Sequence, residues 1–348
     1  MDQKSITQDR NDLLLWYHEN KRQLPWRKSR EAYKIWISEV MLQQTTVAAV
    51  VPYYDRFLKR FPTVQTLAHA SLPEIYEVWA GLGYYSRARN LHKAALVIAN
   101  DFNGSFPKSA KELLQLPGFG PYTSRAVASL AFNEPVGVLD GNVIRILSRR
   151  FGLNINWWNT KERIVLQEIS DQLAKTDQNA DLNQALMELG ATVCTPKKPL
   201  CLLCPWKKRC VALKNNLITQ LPKAKPKIEK QIWYWQMDVH LEKNKIYLEP
   251  ATAVPFLKNQ WFPVGTAQQL KSKPKDFDLT HSVTKYAIYV STNSKPIQSK
   301  RDHGPSRGQS HGQSKGQWIE IEKVRQINPT SLMTKILSSV EKKVRIKK

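Results

Sequence analysis

The chain has 348 residues, with 53 Lys and Arg against 29 Asp and Glu, a formal net charge of +24. An excess this large points to a polyanionic partner, nucleic acid first, over a merely solubilising surface. With 42% hydrophobic residues the chain can bury one or two cores. Its length suggests two domains, and it shows neither a run of about 18 apolar residues nor a lipidation motif, which counts against a membrane location. No signal or transit segment opens it, so a reducing, cytoplasmic location is expected.

From residue 8 to about 213 apolar residues recur at helical spacing. The predicted helices are Asp12–Tyr17, Tyr33–Val51, Leu72–Trp79, Arg89–Ile98, Lys111–Leu116 and Thr123–Phe132. Gly81-Leu82-Gly83, Pro117-Gly118-Phe119-Gly120 and Asp140-Gly141 punctuate them as tight turns. Glu39 falls in a helix beside Ile37, Val40 and Met41, surroundings that can raise its pKa and keep it protonated. Leu113–Thr123 reads as helix, glycine hairpin, helix. Gly118 and Gly120 would let the backbone approach a phosphate that the free N–H groups of the second helix can bind, although an ordinary interhelical turn has the same pattern. Asp140 follows an apolar run and precedes a helix. One acid kept neutral and one carboxylate kept charged would make a general acid and a charge stabiliser, as in sugar hydrolases. The plainer alternatives are a solvated Glu39 and an Asp140 that only caps Gly141–Phe151.

All four cysteines fall in one run, Cys194, Cys201, Cys204 and Cys210, interleaved with Pro196, Pro199 and Pro205. A short loop of this kind suits an iron–sulfur cluster. Tetrahedral zinc competes, but only Cys201 and Cys204 form a Cys-x-x-Cys knuckle, and disulfides do not suit a reducing compartment. Lys197, Lys198, Lys207, Lys208 and Arg209 surround the loop, as a phosphate clamp or as a solvated charge run. Pro222–Lys227 then reads as a stiff basic linker, followed by β-type runs at Ile232–Leu241, Lys245–Leu248, Ser282–Ser291 and Gln317–Ile321. Ser294–Gly316 is too polar to build a core and reads as a flexible insertion. From Pro222 onward 24 basic residues face 10 acidic ones, so both halves should touch the polyanion.

The hairpin, the segment Val138-Leu139-Asp140-Gly141-Asn142-Val143 and the cysteine run resemble the helix-hairpin-helix DNA glycosylases. Leu24-Pro25-Trp26-Arg27, Ser38-Glu39-Val40-Met41-Leu42-Gln43-Gln44-Thr45 and Gly81–Leu91 resemble, more narrowly, the MutY adenine DNA glycosylases. The resemblance implies a mainly α helix-hairpin-helix glycosylase fold, two helical subdomains with a [4Fe-4S] loop, followed by an α+β MutT-like domain. The implied layout is a catalytic domain over residues 1–212 with the hairpin at 111–132 and the cluster loop at 194–210, a basic linker at 213–230, and a recognition domain at 231–348 carrying the insertion 294–316.

It further implies a monomeric base-excision repair enzyme that removes adenine mispaired with 8-oxoguanine or guanine from double-stranded DNA. Glu39 would protonate the extruded adenine and later activate water, and Asp140 would stabilise the sugar cation. Tyr122 would assist, Asn142 would orient the catalytic groups, and Gln184 would contact the adenine edge. Arg27 matches a further substrate or DNA contact, Gly118 and Gly120 the hairpin's phosphate grip, and Gln44 and Tyr84 the residues that probe the base stack. Cys194, Cys201, Cys204 and Cys210 would hold the cluster. Endonuclease III, a relative with the same hairpin and cysteine loop, carries a Schiff-base lysine where this chain has Tyr122, so a monofunctional glycosylase is expected over a bifunctional glycosylase/lyase acting on oxidised pyrimidines. A non-catalytic iron–sulfur DNA-binding protein is the third alternative. The chain departs from the family at its 8-oxoguanine recognition turn, which falls at Val283-Thr284-Lys285: Thr284 supplies a hydroxyl, and a lysine stands in place of histidine.

Overall fold

Apolar residues spaced for one helix face fold Met1–Pro226 into an all-helical unit, and alternating apolar runs fold Lys227–Lys348 around a sheet. The computed structural model describes residues 3–226, 228–252, 254–258, 260–296, 316–328 and 330–346. In the first unit the helices are α1 (Gln3–Asn20), α2 (Ala32–Leu42), α3 (Val47–Arg60), α4 (Val64–His69), α5 (Leu72–Trp79), α6 (Ser86–Asp101), α7 (Ala110–Leu113), α8 (Pro121–Phe132), α9 (Gly141–Phe151), α10 (Thr160–Ala174), α11 (Asn179–Thr192) and α12 (Val211–Lys214). Hydroxyl side chains start several of them: the Ala49 N–H donates to Thr46 at the head of α3, and Thr63 and Ser109 form capping boxes with Thr66 and Glu112.

These helices bury two cores. One gathers Trp36, Phe57, Trp79, Leu113 and Val127, and the other gathers Leu13, Tyr17, Val143, Leu147, Leu166 and Leu189. Helix α8 serves both, giving Val127 to the first and Ala126 to the second. Each large apolar side chain taken out of water contributes about 1.5–3 kcal/mol, so each lobe has its own source of rigidity. The single helix expected over Tyr33–Val51 is in fact two. The chain reverses at Gln43–Thr46, where Gln44 takes a φ of 58° and Thr46 restarts the helix. The glycine hairpin forms between α7 and α8, with Gly118 at a φ of 77° and Pro121 at the first helical position. A Cβ at Gly118 would lie 2.6 Å from the Asn90 Cβ, so a side chain is excluded by contact as well as by conformation.

The second unit has strands β1 (Gln231–Glu242), β2 (Lys245–Pro250), β3 (Trp261–Phe262), β4 (Val264–Leu270), β5 (Leu279–Val283), β6 (Tyr286–Pro296) and β7 (Gln317–Glu320), and helices α13 (Val324–Ile327) and α14 (Ser331–Ile346). Strand β1 is central: β6 runs parallel to it on one side and β4 antiparallel on the other. Strand β5 pairs with β6, while β2 turns back from β1 and takes β3 and β7 as neighbours. Trp235, Met237, Leu248, Ile288 and Val290 of the sheet share a core with Leu332 and Ile336 of α14. The one strand expected over Ser282–Ser291 is a hairpin, β5 to β6, turning at Thr284 with a φ of 47°. Of the expected insertion 294–316, residues 294–296 complete β6 and residues 297–315 lie outside the described residues.

Candidate active site

Elements from both cores of the helical unit wall one cleft of about 1230 Å³. Glu39 reaches it from α2, Tyr122 from the first turn of α8, Asp140 and Asn142 from the head of α9, and Gln184 from α11; Arg27, Gln44, Gly118 and Gly120 also line it. Glu39 is 4% exposed, and the Tyr122 hydroxyl donates to its Oε2 at 2.7 Å. Burial pushes its carboxyl up from 4.5 to about 7, with Asp140 adding to the rise while the Tyr122 hydrogen bond and Arg27 oppose it. That value suits a group that gives up and regains a proton near neutrality. Burial, together with the nearby Glu39 and Asp140 charges, raises Tyr122 well above its ordinary value, so its hydroxyl stays neutral; it also lies 3.2 Å from Met187 Sδ.

Asp140 is both a helix cap and a cleft residue. Its Oδ1 accepts from the Val143 N–H at 2.7 Å and its Oδ2 from the Asn142 amide at 2.9 Å. Burial raises its pKa, while these donors and the Arg145 charge favour the ionised form. Asn142 is held in turn: Arg145 Nη2 donates to Asn142 Oδ1 and to the Gly190 carbonyl, both at 2.8 Å, and Arg145 Nε donates to the Cys194 carbonyl at 2.7 Å. Helix α11 comes so close here that a Cβ on Gly190 would lie 2.5 Å from the Asn142 Cβ.

Also in the cleft lining, Gln184 Oε1 accepts from the Tyr17 hydroxyl at 3.0 Å. One helical turn on, the 1% exposed Glu188 binds Arg22 through Nε and Nη2 and Arg27 through Nη2, at 2.7–2.8 Å. Burial alone would raise Glu188, but the two guanidinium groups bring it down to about 2. Arg27 is therefore oriented by an ion pair at the cleft wall. Tyr84 does not line the cleft. It is 57% exposed beside a smaller cavity of about 240 Å³ shared with Gln44 and Gly118. Thr284 is exposed on the β5–β6 turn of the second unit, where Lys230 Nζ donates to the neighbouring Ser282 hydroxyl at 3.1 Å.

Cys201 opens the short 3-10 turn Cys201–Leu203 and Cys204 follows it, and Cys210 follows a second turn at Lys207–Arg209. None of the four cysteines is in a disulfide. Burial is the main cause that raises the Cys201, Cys204 and Cys210 thiols, Cys204 up to about 12, and each of the three also feels the charge of Cys194. Backbone N–H groups of Trp206, and of Ala212 and Leu213, face the Cys204 and Cys210 sulfurs, and Arg149 Nη1 lies 3.5 Å from Cys194 Sγ. Among the described residues no three His, Cys, Asp or Glu side chains converge tightly enough to hold a single metal ion. No described helix is long and apolar enough to cross a membrane.

Sequence reasoning missed Glu188, Met187, Arg145 and Arg149. The signal was their register: Glu188 sits four residues beyond Gln184, and Arg145 and Arg149 sit four apart on the buried side of α9, where an unpaired charge is too costly to survive.

A model of the HhH-GPD superfamily base excision DNA repair proteins matches residues 37–175. The adenine DNA glycosylase of Rattus norvegicus is 46% identical over 220 residues, which cover 61% of this chain and 43% of that protein. The one from Buchnera aphidicola subsp. Schizaphis graminum is 37% identical over 279 residues, 77% of this chain and 80% of that protein. This chain spans less than half the length of the mammalian relatives it matches. Among solved structures, a thermostable thymine-DNA glycosylase superposes with a TM-score of 0.56 at 31% identity, covering 61% of this chain and 98% of that one.

Proposed function

Since this chain belongs to the adenine DNA glycosylase family, we propose that it is a base-excision repair enzyme that hydrolyses the N-glycosidic bond of adenine mispaired with 8-oxoguanine or guanine in duplex DNA. The observation that carries this reading is the buried Glu39, its carboxyl at about 7 and hydrogen-bonded to Tyr122, in the same cleft as Asp140. Base chemistry inside a duplex needs the nucleotide extruded, and a cleft of about 1230 Å³ holds an adenine with its sugar.

Protonated Glu39 gives its proton to N7 of the extruded adenine, and the C1′–N9 bond breaks with its electron pair leaving on the base. The cation that develops at C1′ is stabilised by the Asp140 carboxylate, whose direction is fixed by Val143 and Asn142. Glu39, now ionised, accepts a proton from the water that attacks C1′ and is restored. The Tyr122 hydroxyl steadies the ionised Glu39 between these steps. It carries no amine, so the reaction stops at an abasic site with the strand intact.

Cys194, Cys201, Cys204 and Cys210 would hold a [4Fe-4S] cluster. The gathering of all four in one short loop, and the backbone N–H groups that face Cys204 and Cys210 and favour their thiolate form against burial, support this. Bound there, the cluster would supply rigidity rather than a reacting atom, and Lys197, Lys198, Lys207, Lys208 and Arg209 would supply the positive charge around it. The second unit would act as a MutT-like reader of the oxidised base, with the exposed Thr284 turn as its contact. The cytoplasm would be its compartment, and a monomer its active form.

The test is a duplex carrying adenine opposite 8-oxoguanine, incubated with the holoprotein. Free adenine and strand breaks that require alkali are expected. Breaks without alkali, trapped by borohydride, would favour a lyase, and tight binding with no adenine released would make this a DNA-binding protein only.

A further inference from the structure

Gln44 and Tyr84 lie on different segments, and both hold a backbone conformation that side-chain-bearing residues avoid, with φ of 58° and 50°. Such strain persists only where the surroundings over-determine it, and here a single side chain does so. Arg87, at the start of α6 and 9% exposed, donates through Nη1 to the carbonyls of Val40 at 2.9 Å, Met41 at 2.8 Å and Gln43 at 2.6 Å. These are the carbonyls that the end of α2 leaves without helical partners. Through Nη2 the same guanidinium reaches the carbonyls of Leu82 and Gly83, both at 3.2 Å, and lies 3.4 Å from the Thr45 hydroxyl. Its Cζ lies 5.3 Å from the Tyr84 ring centroid. One planar fork thus seals the turn that presents Gln44 and the turn that presents Tyr84.

We infer that Arg87 is a positioning residue that locks Gln44 and Tyr84 into one unit, so that the two enter the base stack together when a nucleotide is extruded. A lysine cannot replace it: an ammonium group is a compact point charge, whereas these acceptors gather in two groups at the two amino ends of one rigid fork. Because α2 also carries Glu39, the arginine ties the probes to the helix that bears the acid. The inference rests on reading the cleft as a glycosylase site, and the experiment separates the two.

Single-turnover adenine release is measured on duplexes with adenine opposite 8-oxoguanine and with adenine opposite an abasic gap, where no opposing base has to be displaced. Wild-type protein that releases no adenine from either would defeat the glycosylase reading and leave the geometry untouched. With active wild type, Arg87→Lys should slow release from the paired duplex about 100-fold, the scale of a misplaced group, and should slow the gapped duplex far less. Equal loss on both substrates would reduce Arg87 to a cap for α2 and overturn the inference, as would no loss on either. Should Arg87→Lys not fold, Gln44→Ala, Tyr84→Ala and the double variant still decide. Residues acting as one unit give a double variant hardly worse than the worse single, and losses that multiply would mean that the probes act independently.

Discussion

Replacing Glu39 by glutamine should destroy activity and, at the same time, stabilise the fold in a way that depends on pH. The folded-state pKa of Glu39 is raised, from 4.5 to about 7, so the folded protein holds this proton more tightly than the unfolded chain does. Stability is therefore highest below 4.5, falls as pH rises through the interval, and is fully reduced above about 7. The total over that interval is about 3 kcal/mol. Glutamine has nearly the same shape, can still accept from Tyr122 and never ionises. Glu39→Gln should thus be more stable than the parent by up to about 3 kcal/mol at pH 8, with the difference shrinking toward pH 4.5. Adenine release should fall by about 10²–10⁴, as removal of a general acid does. Urea unfolding midpoints, followed by tryptophan fluorescence from pH 4 to pH 8 with both proteins in their holo form, measure the first effect. A stability difference that stays constant across this range would refute the claim that Glu39 is a buried carboxyl with an elevated pKa, whatever became of activity.

Tyr122→Phe removes the donor that opposes the rise of Glu39; the alkaline limb of the rate profile for adenine release should move upward by about one pH unit, and a limb that stays in place or moves down counts against the hydrogen bond seen here. Gly190→Ala forces a methyl group against Asn142, 2.5 Å from its Cβ, and should slow adenine release by at least about tenfold through misplacement of Asp140's partner, while gel-shift affinity for the duplex stays near that of the parent. Cys204→Ser, in a protein expected to be yellow-brown, should lose the visible absorbance and the bound iron measured per chain, and should melt at a lower temperature than the parent.

Much of the architecture was legible because its signals are local. Leu72–Trp79 carries an apolar stripe between Ser71 and the Gly81 turn, and it forms a helix with those bounds. The break between α2 and α3 was not legible, since Gln43-Gln44-Thr45 contains no glycine or proline. What bends the chain there is Arg87, more than forty positions away in sequence, a tertiary effect that periodicity cannot register. The β5–β6 hairpin escaped the residue pattern for a related reason, and only the family resemblance put a turn there: it is Thr284-Lys285 in place of the glycine-containing pairs that announce tight turns. Strand β4 is mostly polar, reading Val-Gly-Thr-Ala-Gln-Gln-Leu, and is a strand because β1 pairs along its whole length. In the cleft, Glu39, Tyr122, Asp140 and Gln184 were singled out from separate stretches of chain and line one wall system. Their supports, Glu188, Arg145 and Arg149, lie in helical register, but their partners, Arg22, Arg27 and the carbonyls of Gly190, Cys194 and Thr195, lie on distant segments that no spacing announces.

Glu39 belongs to a helix packed in one core and Asp140 caps a helix packed in the other. The gap between the two carboxyl groups is therefore not a property of any loop; it is the opening of a jaw whose two halves are each internally stiff. Any motion that spreads or closes the lobes moves the acid and the anion as passengers, by nearly the full displacement of the lobes themselves. A substitution that loosens either core would therefore shift one carboxyl group against the other without touching either.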